Sequence, residues 1–278
     1  MIPVEPPIGE NNQDIPHFVS KSVKYASYFQ LVILCCSALT HSSMVTGAVS
    51  VSMSSIEKAF KLSNIYVVMV LTVYNIFLGL ASIPVSYLAK NNKQFFLNLG
   101  MLSISIGGCI FILPVFLKSQ PKMANILVRT YLCGENVSSR PVTESHYQAL
   151  YVVIMYIGYA VIGVGSVPLF TTAIRYIIET FEKSKSPLLI SIYFLCQVMG
   201  TMLVFLSSKL ILRVPLHPWI KRDPHEVPDQ DKWVGAYWLI YLIGSIVLLL
   251  LMLLNICVNQ FIKKHSRVKT ISVLSFKN

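Results

Sequence analysis

The chain has 278 residues, of which 54% are hydrophobic and 13% are charged, and its mean hydropathy is +0.63. A soluble globular domain carries about 25% charged residues, so this composition excludes an ordinary soluble protein. The formal net charge is +11, but the basic residues lie in loops and a tail beside apolar segments, which is typical of membrane proteins. We therefore expect a bilayer as the main partner and no nucleic acid.

Six stretches of the chain contain no Asp, Glu, Lys or Arg, and each exceeds the roughly 20 residues that a helix needs to cross a bilayer. Because they are continuously apolar, they do not fit the alternating polarity of a membrane β-barrel. They predict an all-α integral membrane protein with one six-helix bundle over residues 25–258. The predicted spans are 25–56, 62–89, 94–117, 149–174, 187–208 and 234–258.

Residues 1–24, which precede the first predicted span, are rich in proline and acidic residues and are predicted to be disordered. The second half of that span, residues 37–55, is rich in Ser, Thr and Gly. Such a segment normally faces the inside of a bundle or a water-filled path. His41 lies within it, and we interpret it either as hydrogen-bonded to a neighbouring helix or as a ligand or proton carrier.

The predicted loop 118–148 contains the sequon Asn136-Val137-Ser138. If the loop is extracellular, Asn136 is a glycosylation site, and an unused sequon is the alternative. The tail 259–278 holds five basic residues and no acid directly after a span. Because basic residues next to spans favour the cytoplasm, we predict that both termini are cytoplasmic.

The fourth predicted span contains Gly158, Gly163, Gly165 and Pro168. The glycines allow close approach of helix backbones, and the proline frees a carbonyl and bends the helix. Close packing is one interpretation of this pattern, and a broken helix at a substrate path is the other. Arg175 follows at the end of the span, where a salt bridge or a snorkelling side chain is the alternative to a substrate contact.

The sixth predicted span begins in the segment DQDKWVGAYWLIYLIG. Its aromatic residues are expected at the depth of the lipid headgroups, with the leucines and isoleucines that follow in the hydrocarbon. These aromatic residues are Trp233, Tyr237, Trp238 and Tyr241.

Four motifs in this order resemble those of the organic anion transporting polypeptides. The first is formed by Ile56, Glu57 and Lys58 with Phe60, the second by the end of the second span, and the third by the glycines and Pro168 of the fourth. The last is similar to the block that opens the sixth helix of the family, and it is formed by Trp233, Val234, Gly235, Ala236 and Trp238. Departures include Tyr237 for a Trp and Asn75 where the family has an acidic residue.

The resemblance implies a major-facilitator architecture of which this chain holds the N-terminal six-helix half. It also implies uptake or exchange of amphipathic organic anions by alternating access in the plasma membrane. A single half cannot enclose a substrate site between two halves, so we expect a homodimer or a second transporter half as partner. Neutral polar residues within the spans are either interhelical hydrogen-bond groups or the lining of the anion path. With Arg175, the candidates for that path are His41, Tyr74, Asn75 and Gln197.

A second hypothesis is a non-transporting membrane protein that assembles with or regulates a full-length transporter. The loss of the acidic residue at Asn75 favours it. An enzyme is not expected, because no paired carboxylates, nucleophile motif, metal-ligand cluster or phosphate-binding loop occurs in the sequence. We predict no cofactor and no metal.

Overall fold

The computed structural model describes residues 17–60, 62–118, 142–216 and 234–275. Trp233, Asn136 and residues 1–16 lie outside these ranges. The described residues form eight α-helices and two π-helical turns, Ser43–Gly47 and Pro168–Thr172. The helices are α1 His17–Ser42, α2 Ala48–Phe60, α3 Asn64–Leu88, α4 Lys93–Lys118, α5 Val142–Val167, α6 Ala173–Thr180, α7 Ser186–Ile211 and α8 Trp238–Ser275.

Six segments of these helices are long and apolar enough to cross a membrane, and the predicted all-α, six-span fold is thereby confirmed. Span 1 joins α1 to α2 through the first π turn, and span 4 joins α5 to α6 through the second. The spans are, in order, Lys24–Phe60, Ile65–Leu88, Lys93–Leu117, Ala149–Thr180, Ser186–Ile211 and Trp238–Lys264.

Two helix ends differ from the sequence-based expectation. The first helix begins at His17, within the segment predicted to be disordered. The last helix begins only at Trp238, because the residues before it pair with the end of span 5. The Leu216 N–H donates to Val234 O at 3.1 Å, and the Ala236 N–H donates to Val214 O at 2.9 Å.

The spans pack in the order 5–1–6–3–4–2. Span 1 packs on spans 5 and 6, span 3 on spans 6 and 4, and span 4 on span 2. In the described part of the chain, spans 2 and 5 share no extensive contact with each other. The bundle therefore has an open face between spans 2 and 5, and the exposed sides of spans 1 and 4 lie between them.

Glycine pairs allow the close packing of spans 3 and 4. A Cβ at Gly165 would lie 2.9 Å from Gly100 O, and one at Gly158 would lie 2.9 Å from Gly107 O. Real Cβ atoms do not come so close to another atom, so a larger residue at either position would force the two backbones apart. These contacts support the close-packing interpretation of both glycines.

Candidate functional site

Two π turns interrupt spans 1 and 4. In each turn one backbone N–H reaches back five residues instead of four, from Ala48 to Ser43 O and from Ala173 to Pro168 O. Pro168 has no N–H, which accounts for the break in span 4. Span 1 has no proline there, but the hydroxyls next to the turn contact span 5. Ser42 lies 2.7 Å from the Thr201 hydroxyl, and Ser43 lies 2.8 Å from Gly200 O.

A hydrogen bond joins the two spans immediately before their π turns. His41 Nε2 lies 2.7 Å from Ser166 Oγ, and Ser166 itself donates to Ile162 O at 2.7 Å. Because the hydroxyl proton of Ser166 is used in this way, we assign the donor of the first bond to His41 Nε2–H. His41 Nδ1 is buried and has no hydrogen-bond partner among the described residues. The two interrupted helices are thus linked through one imidazole.

Tyr74 of span 2 and Phe170 complete the surroundings of His41. The Tyr74 hydroxyl lies 3.3 Å from His41 Nε2, and the ring of Phe170 meets the imidazole edge-on at 5.5 Å. His41, Tyr74 and Ser166 are all buried. This polar centre is therefore closed within the bundle. Such an arrangement can hold two helices together and accept one further hydrogen bond at Nδ1.

The open face lies beside this centre and carries small polar groups from span 1. Thr46 and Ser50 are exposed there, one turn apart, and Ser50 donates only to Thr46 O, at 2.8 Å, among its described contacts. Span 4 contributes Val164 and Thr171. This mixture of apolar and hydroxyl groups suits a large amphipathic molecule.

The other predicted path residues are Asn75, Gln197 and Arg175. Asn75 is exposed on span 2, and Gln197 is half-buried on span 5. The Arg175 Nε–H donates to Glu179 Oε1 at 2.9 Å, and Lys93 forms a second ion pair with the same carboxylate. Two cations thus share the carboxylate of Glu179. The Arg175–Glu179 pair agrees with the salt-bridge interpretation of Arg175.

In the link between spans 4 and 5, Glu182 accepts a hydrogen bond from the Lys185 ammonium group at 2.7 Å. This bond lowers the pKa of the Glu182 carboxyl below its ordinary value. Both side chains are exposed, so the pair contributes little to stability.

The structure also contains a network of hydrogen-bonded amide side chains that was not predicted from the sequence. Gln30 Nε2 donates to Gln94 Oε1 at 2.6 Å and to Asn255 Oδ1 at 3.0 Å, and Tyr176 donates to Gln30 Oε1 at 2.7 Å. Asn255 in turn donates to Asn98 at 2.6 Å. These bonds tie together spans 1, 3, 4 and 6. The presence of amide side chains in several spans could have indicated such a network. The pairs could not be predicted, because the bonded residues are far apart in sequence.

The motif at the start of span 6 is packed against the end of span 5. The Trp238 Nε1–H donates to Leu216 O at 2.9 Å, and a Cβ at Gly235 would lie 2.7 Å from Leu212 O. Trp238, Tyr237 and Tyr241 are buried in the bundle. These rings therefore pack against neighbouring helices, and their position at the depth of the lipid headgroups stays a prediction.

The motif at the end of span 1 is divided between the core and the surface. Ile56 is buried, and Lys58 is exposed. Glu57 is half-buried, and its Oε1 has no hydrogen-bond partner among the described residues. Among all the residues that the structure describes, no group of three or more His, Cys, Asp or Glu could hold a metal.

Comparison with known proteins identifies relatives of this chain. The model of the Organic Anion Transporter Polypeptide (OATP) family matches residues 29–274. Human solute carrier organic anion transporter family member 4C1 is 25% identical over 218 residues, which cover 78% of this chain and 30% of the relative. Mouse member 4A1 is 27% identical over 215 residues, or 76% of this chain and 30% of the relative.

Human member 2B1 is 26% identical over 260 residues, which cover 84% of this chain and 35% of the relative. The chain thus spans about a third of the length of these curated relatives.

Proposed function

The chain belongs to the Organic Anion Transporter Polypeptide family, and we propose that it moves amphipathic organic anions across the plasma membrane by alternating access. The observation that carries this proposal is the family match over residues 29–274. The open face supports it, because it combines apolar walls with the hydroxyls of Thr46 and Ser50.

We further propose that the open face of spans 1, 2, 4 and 5 meets a second six-helix bundle, either a second copy of this chain or another transporter half. Only 17% of the residues in the most apolar windows of spans 2 and 5 are buried, compared with 67% in span 1. Asn75 is among the exposed residues of span 2. An amide in the middle of a span is costly in lipid and favours a protein or water-filled surrounding.

In this proposal the anion binds between the two bundles, beside the His41 centre, with both termini in the cytoplasm. Arg175 and Gln197 remain candidate contacts for the anion. Asn136, outside the described residues, is a proposed glycosylation site. The net positive charge of the Arg175, Lys93 and Glu179 group is suited to attracting an anion.

The alternative function is a membrane protein that assembles with a full-length transporter and regulates it without transporting. The specific observation in its favour is Asn75, which replaces the acidic residue of the family pattern. In that case the open face would contact the transporter instead of enclosing a substrate.

Uptake of a radiolabelled steroid sulfate by cells that express the chain alone tests the proposal, with surface protein measured by biotinylation. We expect saturable uptake above that of mock-transfected cells. Ser50→Trp should abolish it, because the indole fills the open face without removing a described interhelical contact. Leu250→Trp is the matched control, since Leu250 is exposed on span 6, behind the open face.

Absence of uptake at normal surface abundance would exclude transport by the chain alone. An altered uptake rate of a co-expressed full-length relative would then support the regulatory alternative. Equal loss of uptake in both tryptophan variants would contradict the assignment of the open face.

A further inference from the structure

Each π turn leaves one backbone carbonyl without a helical donor. In span 1 the Ala48 N–H bonds to Ser43 O. In the α-helix that follows each N–H bonds four residues back, so we assign the Val49 N–H to Val45 O. Met44 O is therefore skipped. In span 4 the Ala173 N–H bonds to Pro168 O. By the same reasoning, Leu169 O is the carbonyl without a helical donor there.

A tyrosine hydroxyl from a neighbouring helix donates to each of these two carbonyls. Tyr159 of span 4 donates to Met44 O at 3.2 Å, and Tyr193 of span 5 donates to Leu169 O at 2.6 Å. The Tyr159 and Tyr241 hydroxyls lie 2.6 Å apart. If Tyr241 is the donor of that bond, the proton of Tyr159 remains for Met44 O.

The two turns also occupy equivalent positions in the two halves of the bundle. His41 and Ser166, which bond to each other, are separated by 125 residues. The same separation relates the starts of the π turns, Ser43 and Pro168, and the two skipped carbonyls, Met44 and Leu169. Transporter bundles of this kind contain inverted repeats of three helices, so spans 1 and 4 are the first helix of each repeat.

Because the two tyrosines are buried, their hydrogen bonds determine whether each segment keeps the π or the α pattern of backbone bonds. Tyr159 and Tyr193 are fully buried. An unsatisfied carbonyl in a membrane interior is strongly unfavourable. Without the hydroxyl the π register loses one hydrogen bond, so the segment changes more often between the π and the α register, and its backbone bonds open with each change. The hydroxyls therefore stabilise the π register over the α register.

We propose that Tyr159 and Tyr193 are positioning residues that hold spans 1 and 4 in the π register, and that these turns are where both spans change shape during the transport cycle. The second part rests on the proposed function. The His41–Ser166 bond couples the turns, because movement of either turn displaces the residue two positions before it. The cycle would thus break or remake the tyrosine–carbonyl bonds as a pair.

Hydrogen–deuterium exchange of the full chain in lipid nanodiscs tests the register assignment. Tyr159→Phe should raise amide exchange in residues 43–51, and Tyr193→Phe should raise it in residues 168–176, each by about fivefold to tenfold for one lost hydrogen bond. Tyr156→Phe is the matched control. Its hydroxyl also donates to a backbone carbonyl, Tyr66 O at 3.0 Å, but that carbonyl does not belong to a π turn.

Unchanged exchange in both π segments would overturn the register assignment, and so would an equal rise across all six spans. In the uptake assay, the two phenylalanine variants should lower the maximal rate and leave KM unchanged, as expected if the bonds act on the shape change and not on the substrate. An unchanged maximal rate in both would overturn the link to the cycle. Absence of uptake by the wild-type chain would contradict the proposed function and that link, whereas the exchange result would still decide the register.

Discussion

At the scale of single residues, the polar groups of span 1 are accommodated in two ways. Several hydroxyls bond back to their own helix, as Thr40 does to Cys36 O at 2.9 Å. His41 instead bonds across the bundle to Ser166. The first kind of bond satisfies a group that the apolar environment would penalise, and the second also determines which helices touch.

The cross-bundle bond leads to a prediction for Ser166→Ala. This change leaves His41 Nε2 without its nearest partner in a buried site, so we expect a loss of about 1–3 kcal/mol in unfolding free energy. Thermal unfolding in detergent measures it. Ser207→Ala is the control, because Ser207 is a span residue whose described bonds all stay within its own helix. Equal stability of the two variants would show that the His41–Ser166 bond contributes nothing.

Sequence alone predicted part of this arrangement. The Ser, Thr and Gly content of residues 37–55 indicated an interior segment, and His41 was interpreted as a possible interhelical hydrogen-bonding group. Its partner could not be predicted, because Ser166 is 125 residues away and every span contains at least one serine. The burial of Tyr237 and Tyr241 could not be predicted for a related reason. Aromatic residues at a helix start fit both a headgroup belt and a buried contact, and only tertiary packing distinguishes them.

At the scale of helices, small residues determine how closely the spans approach. Gly200 of span 5 is the tightest example. A Cβ there would overlap the carbonyl oxygen of Leu39 in span 1 and lie 3.0 Å from Ser43 Oγ. Span 5 therefore rests directly on the backbone just before the first π turn.

We predict that Gly200→Ala destabilises the bundle by about 1–3 kcal/mol, because the overlap must be relieved by moving two backbones apart. Gly79→Ala is a matched control, since a Cβ at Gly79 has no neighbour within 4 Å. Size-exclusion chromatography of fluorescently tagged protein after heating compares the two. A melting temperature of Gly200→Ala as high as that of Gly79→Ala would contradict the close packing of spans 1 and 5.

The two π turns show what local sequence can and cannot indicate about helices. Pro168 predicted an interruption in span 4, because proline removes a donor. No comparable residue marks the turn in span 1. That interruption depends on contacts from other helices, namely the bonds of Ser42 and Ser43 to span 5 and of Tyr159 to Met44 O. It could therefore not be derived from the residues of span 1.

At the scale of the whole molecule, the fold was largely predictable because charge-free stretches of sufficient length specify spans without knowledge of their partners. The family was predictable for a different reason. Two of its four motifs lie where backbones touch, at Gly158 against Gly107, Gly165 against Gly100, and Gly235 against Leu212. The packing order of the spans and the open face between spans 2 and 5 could not be predicted, since both depend on contacts between distant segments.

For the whole molecule, the proposed function is the transport of amphipathic organic anions by alternating access. The most direct measurement is the initial rate of radiolabelled steroid sulfate uptake, at equal surface expression, in cells preloaded with unlabelled anion and in cells that are not. If the binding site must return across the membrane after each delivery, internal anion speeds that return, and we expect faster uptake in the preloaded cells. Saturable uptake that is indifferent to preloading, or no saturable uptake at all, would contradict it.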